Sequence, residues 1–203
     1  MSKVYSWRKL NEKELTRVYL DEMRRDFPPT ELKPLSMILN SEADGTAHTW
    51  GVFDGDTLAA YLLMVRPEGC RMSQLDYFAV VPAYRAHGIG AQLLAQLPAH
   101  EDTAEAILIE AEMPEKAEDA AMAVRRLGFY ARNGARTAVY DTEMFGVPYK
   151  TLYWAEGDVD EAALMEEHRF VYANTFAPDK FARYVRIPFD PQAGPGEKVE
   201  WQQ

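Results

Sequence analysis

The sequence predicts a mixed α/β domain with one sheet and helices on both faces. Apolar runs bounded by turn residues recur between Val4 and Trp154, and amphipathic helical patterns separate several of them. One helical pattern lies between two buried strands, and a crossover of this kind places those two strands parallel. Antiparallel pairs flank the crossover, so the class is α/β or α+β with a single mixed sheet.

The strands are predicted from apolar runs that end at turn signals. His48 to Val65 is a clear hairpin, because Asp54-Gly55-Asp56 suits the turn between antiparallel strands. The run Ile107-Leu108-Ile109 indicates a buried strand. In chain order the predicted strands are Val4–Leu10, His48–Phe53, Leu58–Val65, Met72–Val81, Ala106–Ala111, Thr137–Thr142 and Lys150–Trp154.

The helices are predicted from apolar spacing and from signals at their ends. Asn11 followed by acidic residues is typical of a helix start, and Pro28-Pro29-Thr30 ends that helix. Gly134 suits the C-terminal end of a later helix. In chain order the predicted helices are Asn11–Phe27, Leu32–Leu39, Gly88–Leu97, Lys116–Asn133, Val159–Tyr172 and Pro178–Val185.

The length and composition predict one globular domain. The chain has 203 residues, of which 47% are hydrophobic and 27% charged. We expect residues 1–190 to form the domain, with 155–190 as a helical C-terminal extension and 191–203 as a flexible tail. The net charge of −10 argues against a nucleic-acid partner, because a phosphate backbone would repel the protein.

The expected location is the cytoplasm. Cys70 is the single cysteine, which excludes an intramolecular disulfide framework and fits a reducing compartment. Charged residues occupy the N-terminus where a signal peptide would need an apolar run, and no stretch approaches the roughly 20 apolar residues of a membrane span. We therefore expect no membrane partner.

A strand, a loop and a helix start between Leu75 and Leu94 carry the most informative motif, Arg85-x-x-Gly88-x-Gly90. Glycines let the backbone approach a ligand, and the free N–H groups of a helix start favour a phosphate. The alternative is a simple turn. A Rossmann site fits less well, although Glu110 stands at the distance of its ribose acid, because Leu93 occupies the third glycine position.

At these residues the sequence resembles the GNAT superfamily of acyl-CoA-dependent N-acetyltransferases. Arg85-x-x-Gly88-x-Gly90 is similar to that family's pyrophosphate-binding motif. Phe129-Tyr130-x-x-x-Gly134 is similar to the helix end that carries the family's tyrosine. The likeness covers the chain from Val4 to about Trp154. It departs at Ala123, where the family often has an asparagine that contacts pantetheine.

The resemblance implies a mostly antiparallel sheet whose two parallel central strands splay apart. Pantetheine would bond to the strand from Asp76 to Val80, in which a backbone amide would polarise the acyl carbonyl. The pyrophosphate would lie on the amides that follow. The implied cofactor-binding residues are Phe78, Ala79, Val80, Arg85, Ala86, His87, Gly88, Ile89, Gly90 and Ala91.

Acyl transfer to an amine needs a base, because a free amine with a pKa near 10.4 is mostly ammonium at neutral pH. Alternation places Glu110 and Glu112 on one face at the end of a parallel strand, and Asp76 is a third candidate. Each of the three carboxylates could instead have a structural role. Tyr130 is the acid that the resemblance implies, and its alternative is an aromatic core residue.

The predicted function is transfer of an acetyl or acyl group from acetyl-CoA to a primary amine, by direct attack through a tetrahedral intermediate. The alternative is an acyl-CoA-binding sensor or structural module without turnover. An acidic protein favours a cationic acceptor, either a small molecule or a peptide. We expect no metal, because the four histidines lack ligand spacing. The oligomeric state is open, with a homodimer among the alternatives.

Overall fold

The computed structural model describes residues 4–194, 196 and 197. These residues form two compact units: 4–65 with 75–96, and 66–74 with 97–197. The strands are β1 Ser6–Lys9, β2 Ala47–Asp54, β3 Thr57–Val65, β4 Met72–Val80, β5 Ala106–Glu112, β6 Arg136–Met144, β7 Val147–Trp154 and β8 Val185–Arg186. The α-helices are α1 Glu12–Val18, α2 Arg24–Asp26, α3 Leu35–Ala43, α4 Ile89–His100, α5 Ala120–Arg132, α6 Glu161–Thr175 and α7 Pro178–Tyr184.

The first unit is built on the antiparallel strands β1, β2 and β3. Gly55, with φ +59°, closes the β2–β3 hairpin, as the Asp-Gly signal predicts. Asn11 caps α1 through a reciprocal bond with Glu14, and a π-helical turn, Tyr19–Met23, joins α1 to α2. The buried side chains of Leu15, Met23 and Tyr61 belong to the core of this unit.

The second unit contains the parallel pair. Residues 72–74 of β4 pair with 106–108 of β5, and antiparallel pairing then joins β5 to β7, β7 to β6 and β6 to β8. The predicted class is therefore confirmed: a mixed, mostly antiparallel arrangement with one parallel pair. Splaying of the pair and the single domain over 1–190 stay predictions. The tail predicted over 191–203 falls partly on residues 195 and 198–203, outside the described residues.

Several element boundaries differ from the sequence prediction, and three helix starts have a clear local reason. Helix α3 begins at Leu35 rather than Leu32, because a residue before proline avoids helical geometry and Pro34 follows Lys33. Asp119 and Asp160 accept bonds from the first amides of α5 and α6 and so fix their starts. The two-residue strand β8 is too short to give a sequence pattern.

Within the described residues, helix length and hydropathy do not reach what crossing a lipid bilayer requires.

Candidate active site

The loop between β4 and α4 presents a row of free backbone donors. Pro82 starts a short 3-10 turn after β4, and Ala86 and Gly88 then take positive φ values of 65° and 73°. In the described part of the chain, the amides of residues 86–91 have no acceptor, whereas the Gln92 amide already bonds to the Gly88 carbonyl. Consecutive N–H groups of this kind, at the start of a twelve-residue helix, can bind an anion.

The Arg85 side chain holds this loop in place. Its Nε donates to the Val80 carbonyl over 2.7 Å, and its Nη2 lies 2.6 Å from Asp26 Oδ1. The Arg85 amide donates to the Pro82 carbonyl, so this amide has an acceptor, in contrast to the amides of residues 86–91. Arg85 therefore anchors the loop to α2, and the predicted anion site is made by main chain.

The predicted base Asp76 is already paired. Its Oδ2 lies 2.7 Å from Lys33 Nζ, and both side chains are 9% exposed. The phenol of Tyr77 fixes the Lys33 backbone by accepting from its amide. Because a buried carboxylate next to an ammonium is neutralised, Asp76 suits the role of a structural ion pair better than that of a free base. The following residues, Phe78 to Val80, are half-buried.

The predicted base Glu110 lies at the centre of a buried polar cluster in the second unit, and its side chain is 9% exposed. Oε1 accepts from Thr142 Oγ1, and Oε2 accepts from Tyr172 of α6. Gln74 Nε2 lies 3.3 Å from Oε2 and 2.8 Å from the Tyr172 phenol. All of these partners donate, so the pattern fits an ionised carboxylate.

His168, on the same helix as Tyr172, also lies next to Glu110. Its Nε2 lies 3.5 Å from Glu110 Oε1, and its Nδ1 lies 3.3 Å from the Tyr140 phenol. Complete burial lowers the pKa of His168 to about 3, so the ring is neutral near pH 7. Burial, followed by the nearby charge of Glu110, raises the pKa of Tyr140. Both His168 and Tyr140 are therefore neutral near pH 7.

The other predicted base, Glu112, is more open. Its side chain is 25% exposed, and Arg126 of α5 lies 4.0 Å away. It stands opposite Tyr149 in the β5–β7 ladder. This position at the strand end gives Glu112 access to solvent, without the donors that surround Glu110.

Tyr130 is a buried residue of α5 whose ring packs edge-on against Trp154, with centroids 5.9 Å apart. Its phenol oxygen has no hydrogen-bond partner among the residues described. Burial raises its pKa to about 12, so the phenol keeps its proton at neutral pH. The predicted acid therefore combines a core position with a free hydroxyl.

Tyr130 and Glu110 lie on opposite faces of β5. Trp154 is the cross-strand partner of Ile107, and alternation puts Ile107 and Glu110 on different faces. Because Tyr130 packs on Trp154, it lies on the Ile107 face. The structure thus brings Glu110 together with residues that the sequence prediction omitted and separates it from Tyr130.

The omitted residues are Gln74, Thr142, His168 and Tyr172. One signal could have found two of them: His168 and Tyr172 are four residues apart, so they share a helix face, and that face also carries the buried Leu164. Polar residues within an apolar stripe indicate a buried polar partner. No group of His, Cys, Asp and Glu able to hold a metal occurs among the described residues.

Comparisons with known proteins concern the fold and the domain family. Residues 45–134 match the acetyltransferase (GNAT) domain family. A search of curated proteins finds no match. A putative GNAT acetyltransferase from Bacteroides thetaiotaomicron has a similar structure, with 22% identity and a TM-score of 0.65 over 84% of this chain and 98% of that one.

Two further solved structures share the fold at lower identity. The ribosomal-protein-S18-alanine N-acetyltransferase from Escherichia coli has 15% identity and a TM-score of 0.56, over 77% of this chain and 98% of its own. Spermidine N-acetyltransferase from Vibrio cholerae, in complex with CoA and spermine, has 11% identity and a TM-score of 0.54, over 74% and 94%.

Proposed function

We propose that this chain, whose residues 45–134 match the acetyltransferase (GNAT) domain family, is a GNAT enzyme that moves an acetyl group from acetyl-CoA to a cationic primary amine. The observation that carries the proposal is the row of free amides at residues 86–91. These amides fit the pyrophosphate of coenzyme A, because they offer several donors and the positive end of a helix at one place.

The loop explains why a phosphate group would be favoured there. Gly88 has a positive φ, and an added Cβ would meet no atom within 4 Å, so backbone geometry rather than crowding calls for glycine. Arg85 is held by Asp26, which keeps the loop in one conformation before a ligand arrives. A loop fixed in advance loses little entropy on binding, and this favours affinity.

The proposed chemistry uses two groups on opposite faces of β5. Glu110 takes a proton from the acceptor ammonium, directly or through water, and the nitrogen lone pair then attacks the thioester carbon. As the tetrahedral intermediate collapses with cleavage of the C–S bond, the nitrogen releases its second proton to water, and Glu110 passes its own proton to solvent before the next turnover. The leaving sulfur receives a proton from the Tyr130 phenol, which solvent restores. The two assignments give the entering amine and the departing thiol separate proton partners.

Glu110 is the preferred base among the three candidates. Asp76 is neutralised by Lys33, whereas the contacts of Glu110 that the structure gives come from neutral groups. Glu112 faces Arg126 at the exposed strand end. Of the three carboxylates, Glu110 is the one that hydroxyl and amide groups hold in a defined orientation, so Glu110 fits the role best.

The acceptor class rests on charge and on the names of structural relatives. The protein has a net charge of −10, which attracts cations. Proteins of the same fold include one named for spermidine and one named for the alanine of a ribosomal protein. We therefore propose polyamines and peptide N-termini as the first acceptors to test.

The decisive experiment is a panel of amines with acetyl-CoA and detection of released thiol. Turnover with polyamines or with peptides having a free N-terminus supports the proposal, and their acetylated or quaternary counterparts serve as matched controls. Tight binding of acetyl-CoA without turnover on any amine would favour the sensor alternative. Failure to bind acetyl-CoA would exclude both.

The base is tested by substitution. Glu110→Gln removes the proton acceptor and keeps the shape, so kcat/KM should fall about 10² to 10⁴-fold while the affinity for acetyl-CoA stays the same. Asp76→Asn and Glu112→Gln are the comparison variants. Full activity of Glu110→Gln across the pH range, with a loss in one of the other two variants, would move the role to that residue.

A further inference from the structure

We propose that Tyr172, on the C-terminal helix α6, is a positioning residue that holds the Glu110 carboxylate ready for catalysis. The inference rests on the proposed role of Glu110 and goes beyond it. It gives a function to the segment after β7, which the family resemblance does not cover.

The contact between the two residues is fixed at both ends. The Tyr172 phenol donates to Glu110 Oε2 and accepts from Gln74 Nε2 at 2.8 Å. The phenol is thereby oriented, because an amide nitrogen can only donate and the hydroxyl hydrogen is left for the carboxylate. The Tyr172 ring also packs between two other rings. It stacks on Phe176 with ring centroids 5.9 Å apart, and its centroid lies 5.3 Å from that of the His168 ring.

Other buried polar atoms around Glu110 indicate that Tyr172 has more than a packing role. Among the described residues, three buried side-chain atoms of residues around Glu110 lack a hydrogen-bond partner: His168 Nε2, Gln74 Oε1 and Thr151 Oγ1, where Thr151 is the cross-strand partner of Glu110. Burying a polar group without a hydrogen bond is unfavourable. A cluster built only for stability would not gather such atoms around one carboxylate.

Titratable groups on two elements face Glu110. Helix α6 contributes Tyr172 and His168, and β6 contributes Tyr140. His168 is neutral, and Tyr140 keeps its proton because burial raises its pKa. Donation from Tyr172 therefore helps to decide how firmly Glu110 keeps its negative charge near neutral pH, since a hydrogen bond to a carboxylate favours the charged form.

The test compares four proteins: the unmodified enzyme, Tyr172→Phe, Glu110→Gln and the double variant. Tyr172→Phe removes one oxygen and keeps the ring stack. We expect kcat to fall roughly tenfold to a hundredfold, because the carboxylate is no longer held in its reactive orientation, with KM for acetyl-CoA unchanged. The acidic limb of the kcat/KM profile should move to higher pH, because the carboxylate then holds a proton more readily.

Tyr184→Phe is the matched control. It also removes a phenol oxygen from the C-terminal segment, where its ring stacks on Phe145 at 4.9 Å. We expect this variant to keep both the rate and the pH profile. Melting temperatures of all variants separate loss of function from loss of fold.

The double variant distinguishes the possible outcomes. If Tyr172 acts through Glu110, Tyr172→Phe has little further effect once Glu110 is Gln. If Glu110→Gln keeps full activity, the proposed base itself is wrong. If Glu110→Gln loses activity while Tyr172→Phe behaves as Tyr184→Phe does, only the positioning role is refuted. A lower melting temperature with an unchanged pH profile, and additive losses in the double variant, would also refute it and assign Tyr172 to packing.

Discussion

Acid should destabilise this protein through a single buried histidine. His168 is fully buried, and burial lowers its pKa from 6.5 to about 3. In the unfolded chain the same ring takes a proton near pH 6.5. A group whose pKa is lower in the folded state stabilises the fold above the unfolded pKa, and this stability is lost as pH falls toward the folded value.

The size of the effect follows from the difference in pKa. One pKa unit corresponds to about 1.4 kcal/mol, so the full loss, reached below pH 3, is about 5 kcal/mol. At pH 5 the unfolded ring is almost fully charged, and the loss is about 2 kcal/mol. The free energy of unfolding of a typical domain is about 5–15 kcal/mol, so this loss should be easy to measure.

The measurement is urea unfolding, followed by tryptophan fluorescence, at several pH values from 8 to 5. The test variant is His168→Asn, which cannot take up the proton, and the control is His87→Asn, whose parent ring is exposed. Between pH 8 and pH 5 the unmodified protein and the control should lose about 2 kcal/mol more than His168→Asn. The constant cost of the substitution cancels in this comparison.

One result would refute the reasoning. Glu110 Oε1 lies 3.5 Å from His168 Nε2, and an ion pair there would favour the charged ring. If the unmodified protein and His168→Asn lose stability in parallel, His168 is not held neutral against its tendency to protonate. The Glu110 carboxylate would then compensate for burial, and the cluster would hold a charge pair at mildly acidic pH.

Two further predictions concern the coenzyme. Gly88→Val should weaken binding of acetyl-CoA at least tenfold in calorimetric titration, because a β-branched residue strains a φ of +73°. The control Gly45→Val imposes similar strain at φ +80° in another turn and should leave the affinity unchanged. Equal affinities in both variants would contradict a phosphate site at this loop. Tyr130→Phe should lower kcat and kcat/KM together, and the defect should shrink with acyl donors whose thiol is more acidic; a defect equal for all donors would assign Tyr130 to positioning or to the core.

Local sequence signals were sufficient for most of the fold and for the course of the loop after β4. Asn11 marks the start of α1, Asp54-Gly55 closes a hairpin, and the glycines after β4 precede α4, because each depends on neighbours within a few residues. The parallel pair also followed from local information, since one helix between two strands admits that arrangement.

Contacts between distant residues were beyond this reasoning. Alternation along β5 placed Glu110 on a face but could not show what covers that face. Its partner Tyr172 stands 62 positions later, and the Lys33–Asp76 pair spans 43 positions. Tertiary packing produces both the ion pair that makes Asp76 a less suitable base and the set of donors around Glu110. A single sequence, interpreted without an alignment, does not reveal such packing.

The two roles assigned to α6 have one physical origin. A helix that only covered the sheet would gain stability from apolar side chains at 168 and 172, because burying unsatisfied polar atoms is unfavourable. Instead, α6 places a neutral imidazole and a phenol against a buried carboxylate. The burial that makes His168 sensitive to acid also brings the Tyr172 phenol against the Glu110 carboxylate. Sensitivity to acid and an oriented carboxylate are therefore expected together, since both follow from the packing of α6 against Glu110.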